Sequence, residues 1–149
     1  MVTLTNDLSR NADGKITGFV FNIAGKANAT LSLATHPFLD LGTSPSAPPF
    51  GTFDGGVALG GDWTGSGSPN PGIVRGATGT FTFSVTGPGA AGLSAASFIG
   101  SAPEINFAVR FQGFANGGFD KTPGYFVPAS SSLALLSLAG LGAAQRRHR

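Results

Sequence analysis

Thr80–Thr86 reads TFTFSVT, and Glu104–Gln112 reads EINFAVRFQ. In the first, Phe81, Phe83 and Val85 alternate with Thr and Ser, so a period of two sends every apolar side chain to one face. That is the pattern of an antiparallel strand with one face buried and the other wet. The second stretch follows it: Ile105, Phe107, Val109 and Phe111 are expected to face in, and Asn106, Arg110 and Gln112 to face out. Working outward, ITGFVFNI at Ile16–Ile23 places Phe19, Phe21 and Ile23 on one side, with Val20 and Asn22 on the other. ATLSLA at Ala29–Ala34 repeats the pattern with Leu31 and Leu33. Between these runs stand turn signals, including Asp13-Gly14, Gly25, Asn70-Pro71, Gly87-Pro88-Gly89 and Asn116-Gly117-Gly118.

Strands separated by such turns predict an all-β chain, a single antiparallel β-sandwich-like domain over 1–126. About 125 residues suffice for one core and not for two domains. LSAASFIG, at Leu93–Gly100, invites a helical turn. Thr43–Gly72 holds eight Gly and five Pro among its 30 residues. It reads either as a long irregular loop or as short strands around Phe53, Val57 and Trp63 joined by glycine turns. Met1–Arg10, MVTLTNDLSR, already alternates like the interior of a strand, so an export leader is expected upstream of Met1.

Only 16 of the 149 residues are charged, which is less than half the usual share. Setting aside Arg146, Arg147 and Arg149, six basic residues face seven acidic ones, so the body carries −1. The basic character belongs to the tail, and a nucleic-acid partner is not expected. With no Cys there is neither a disulfide framework nor a thiolate site.

The tail, Val127–Arg149, has three parts. Pro128 and Ser130–Ser132 break the preceding fold, and an uncharged run carries Leu133, Leu135, Leu136, Leu138 and Leu141. Arg146, Arg147 and Arg149 then act as a basic stop. The run from Ser131 to Ala144 has 14 residues, short of the roughly 20 that span a bilayer core. Its leucines spread around a helix and leave no strongly polar face, so a C-terminal hydrophobic helix in the membrane is expected, with the body outside and the arginines inside.

These residues resemble the C-terminal sorting segment of PEP-CTERM proteins. Val127 and Pro128 fit its motif, whereas Ala129 and Ser130 stand where Glu and the second Pro are expected. Val109–Gly124 is similar to the body of one PEP-CTERM subgroup, with Phe119 inserted before Asp120. The resemblance implies export to the cell envelope, with an inner-membrane intermediate held by the C-terminal helix. It also implies recognition by an exosortase-like membrane protease and a setting rich in exopolysaccharide.

No reaction class finds its residues. His36, in ATHPFLDLG, is the one imidazole of the body, no GxSxG elbow is present, and the seven acids include no sequence-local pair. Asp54-Gly55-Gly56, Asp62 and Asn116–Asp120 offer oxygen ligands for calcium without the spacing of an EF-hand. Trp63, the sole Trp, is the candidate platform for a sugar ring. The expectation is a non-catalytic exported envelope or matrix protein without cofactor or metal; a carbohydrate- or calcium-binding module is the alternative.

Overall fold

The computed structural model describes residues 1–7, 13–25, 27–65, 67–98 and 105–124. Eight strands form two antiparallel sheets. They are β1 (Val2–Thr5), β2 (Lys15–Phe21), β3 (Asn28–Ala34), β4 (Leu39–Asp40), β5 (Gly55–Ala58), β6 (Thr78–Thr86), β7 (Phe107–Gln112) and β8 (Phe119–Gly124). The smaller sheet has the order β1-β6-β3, and the larger has β4-β5-β2-β7-β8. No α-helix occurs among the described residues; Ala95–Phe98, in the stretch expected to turn, is a short 3-10 segment. Among the same residues no helix is long and apolar enough to cross a membrane. The proposed C-terminal helix, like the whole of Val127–Arg149, lies outside the described residues.

One core joins the two sheets, because the alternation of β6 aims Phe81, Phe83 and Val85 at Phe19 and Phe21 of β2. Phe19 is the hub: its ring centroid lies 4.9 Å from Phe81, 5.6 Å from Phe107 and 6.1 Å from Phe83. The Phe81 and Phe83 contacts are edge-on, the arrangement that a ring's electrostatic quadrupole favours. The buried side chain of Asn6 donates to the carbonyls of Gly14 and Ile73, both at 2.9 Å, and so ties the end of β1 to the larger sheet.

The structure departs from the simple pattern in several places, including a register shift of β2 against β7 between Ile16 and Gly18. In β3 the pairing with β6 shifts between Leu31 and Leu33: Leu31 stays opposite Phe83 in the core, while Leu33 falls opposite Thr82. Ser32 is the extra residue of this bulge, and Leu33 turns outward, 68% exposed, contrary to the expectation that it repeats Leu31. Ile105 packs on the far side of the larger sheet and not in the main core. β8, which follows the Asn116-Gly117-Gly118 turn and shows no apolar alternation, is an edge strand paired with β7 along its whole length. Pro123 and two charged residues belong on such an edge, where a missing N–H costs no ladder bond and charge discourages further pairing.

The bulge gives a direct check. Leu33→Thr is expected to change unfolding free energy by less than about 0.5 kcal/mol, whereas Phe81→Ala is expected to cost about 3–5 kcal/mol, both read by urea denaturation.

Candidate functional site

β2 is buried on both faces, and its second face builds the candidate site. Small residues, Gly18 and Gly56 with Ala58 and Ala108, line the outer side of the larger sheet and leave a shallow trough. At Gly56 an added Cβ would press on the Phe19 carbonyl at 2.6 Å, so the close approach of β2 and β5 requires glycine there. The Gly/Pro-rich stretch folds back into this trough from both ends of β5. Ala47 and Phe53 come from one arm and Trp63 from the other, and they pack with Val20 and Ala108 into a second buried cluster, flanked by Phe50 and Ile105. Of the two readings of Thr43–Gly72, β5 fits the short-strand one around Val57, while Phe53 and Trp63 lie on irregular backbone on either side.

Trp63 is therefore 3% exposed, and its Nε1–H donates to the Pro48 carbonyl at 3.1 Å. Lys121 donates to the same carbonyl at 2.8 Å and stands 5.6 Å from the centre of the indole. The structure thus gives Trp63 a place in the core and not the open sugar platform expected of it, because its N–H is taken up by Pro48, Lys121 of β8 lies over its ring, and it packs with Val20, Ala47, Phe53 and Ala108.

Beside Trp63 lies a group that alternation alone would have left in water. Arg110, expected to face out, does point away from the main core, yet it is 0% exposed beneath the Asp62–Gly65 turn. Its Nη1 reaches the Asp62 carbonyl at 3.5 Å, while Nε and Nη2 are buried with no hydrogen-bond partner. Gln112, next on the same face, donates to the Gly65 carbonyl at 3.2 Å and keeps its own Oε1 unpartnered. Removal from water pushes the Arg110 pKa down from its usual value, and the charge of Asp62 offsets part of this. Lys121 is lowered as well, first by partial burial and then by the Arg110 charge.

Three acidic side chains hold backbone. Asp40 accepts from the amides of Leu31 and Gly42, Asp54 from that of Ile23 at 2.7 Å, and Asp62 from Gly65 N–H at 2.7 Å and the Thr64 hydroxyl at 2.6 Å. The calcium candidates Asp54 and Asp62 are thus engaged in separate turns, and no group of three His, Cys, Asp or Glu close enough to hold a metal occurs among the described residues. His36 is half-buried, 3.2 Å from the Thr35 hydroxyl and edge-on to Phe38, in the place of a loop residue. The sorting motif Val127–Ser130, the five leucines and the three arginines of the tail lie outside the described residues.

Comparison with known proteins adds no relative. No family model, curated protein or solved structure matches this chain.

Two outcomes follow from the covered trough. The fluorescence of the single Trp is expected to be blue-shifted and poorly quenched by iodide in the folded protein. Gly65→Ala is expected to destabilise by more than about 1 kcal/mol in a thermal or urea melt, because Gly65 has φ +95° and a Cβ there would fall inside the Arg110 guanidinium.

Proposed function

We propose that this chain is a non-catalytic exported protein of the cell envelope or extracellular matrix. In this reading the β-sandwich-like body is carried outside, sorted through the tail by an exosortase-like membrane protease, and housed among exopolysaccharide. One observation carries the reading: the order of a Pro-Ser breaker, an uncharged leucine run and an arginine stop at Val127–Arg149.

The body is consistent with that role. Asp40, Asp54 and Asp62 accept from backbone amides, its sole Trp serves the core, and its charge is close to balanced. Such chemistry suits a passive surface domain whose stability rests on two apolar clusters.

Fractionation of a tagged protein followed by intact-mass measurement tests the proposal. With an export leader in place, the expected result is a body in the envelope or extracellular fraction, and an altered membrane-bound share and tail mass when Arg146, Arg147 and Arg149 are replaced by Ser. A full-length wild-type chain found only in the cytoplasm would overturn it.

A further inference from the structure

We propose that Arg110, backed by Lys121, forms a binding site for an oxyanion: a carboxylate, sulfate or phosphate group that presents two oxygens side by side. The inference does not depend on the tail or on export.

It begins with which donors of Arg110 are unpartnered. Nε and Nη2 carry parallel N–H bonds on one edge of the guanidinium, the fork that receives two oxygens of a single anion. Nη1, on the other edge, is the one that meets the Asp62 carbonyl. The unpartnered edge is thus a complete bidentate donor on a side chain with no exposed surface. A buried guanidinium with that edge unmet is costly, because water is lost without replacement.

The pairing of strands supplies a second, independent observation. Arg110 and Lys121 are directly opposite in the β7–β8 ladder, on the same face. Like charges in that position repel and weaken a sheet. Asp62 compensates one of the two charges at most, and Oδ1 of its carboxylate is taken up by Gly65 N–H and the Thr64 hydroxyl. An entering oxyanion answers both problems together, since it fills the fork and places a negative charge against the two cations.

Access is built from glycine. The turn over Arg110 is entered through Gly60 and Gly61, with φ of +76° and +75°, and closes on Gly65 at +95°. Lys121 is half-buried, and beyond it the ring of Phe119 is 69% exposed, 5.9 Å from the ammonium. The Gly65 backbone lies against Nη2, so an anion reaches the fork only when the Asp62–Gly65 turn is displaced. The Asp62 charge competes with the incoming anion, so its removal favours the ligand.

The test uses the full chain and thermal melting in sodium phosphate, sulfate or chloride at equal ionic strength. Phosphate and sulfate stabilise most proteins by exclusion from their surfaces, so the readout is the difference between wild type and variants. A saturable rise in Tm is expected in wild type, absent in Arg110→Met, and half-saturated at about tenfold higher phosphate in Arg110→Lys, which keeps the charge and loses the fork. Asp62→Asn is expected to saturate at lower phosphate than wild type. Retention on immobilised polygalacturonate against neutral dextran separates a polymer-borne carboxylate from a free ion. Binding to polygalacturonate that Arg110→Lys loses supports the polymer as source, and a phosphate effect without such retention supports the free ion. Identical anion responses in wild type and Arg110→Lys, or equal retention on dextran, would overturn the proposal.

Discussion

Phe19 and Val20 are neighbours in β2 with no exposed surface, and their side chains leave the strand in opposite directions. A strand in that position must have a packed layer on each side, and the chain supplies the layers differently. Toward Phe19 it offers a second sheet, where the alternation of β6 places a row of aromatic side chains. Toward Val20 it offers the two arms that flank β5, with Phe53 and Trp63 pressed into a trough of small residues. Burying one Trp or Phe relative to leaving it in water is worth roughly 2–3 kcal/mol. The irregular arms are therefore held in place by the same force as the sheets, although they have almost no ladder hydrogen bonds of their own.

The second layer also creates an electrostatic tension. Covering the outer face of β7 buries Arg110, and the covering turn gives it a carbonyl at long range and a nearby carboxylate engaged with its own amides. An apolar side chain of similar volume would remove that tension and is often the more stable choice. Retention of a guanidinium here, opposite Lys121, is what links the architecture of the loop layer to a chemical role for it. This is where affinity for a ligand can reside.

Most of the ladder was legible in the residues. Period-two runs at Ile16–Ile23, Thr80–Thr86 and Phe107–Gln112 form the three strands that meet at Phe19, and the alternation of Val2 and Leu4 forms β1. What was hidden is non-local. The bulge at Ser32 depends on how β3 meets β6, and nothing in ATLSLA distinguishes Leu31 from Leu33 before the pairing is known. β8 carries Asp, Lys, Pro and Gly, a composition that reads as a turn and is suited only to an edge. The burial of Trp63 and Arg110 follows from a cover contributed by residues some 50 positions from Arg110, beyond the reach of any local pattern. The small residues Gly18, Gly56, Ala58 and Ala108 were the available clue, since two strands that alternate large and small leave room on one face.

Limited proteolysis with intact-mass readout tests most directly whether the arms around β5 form a structural layer, for they hold most of the Gly and Pro of Thr43–Gly72 and would otherwise be an open substrate. Cleavage within 43–53 is expected to proceed no faster than global unfolding, with a rate that falls as stability is raised and no long-lived nicked form. Rapid cutting there, leaving a folded remnant with the native melting temperature, would contradict a core built on both faces of β2.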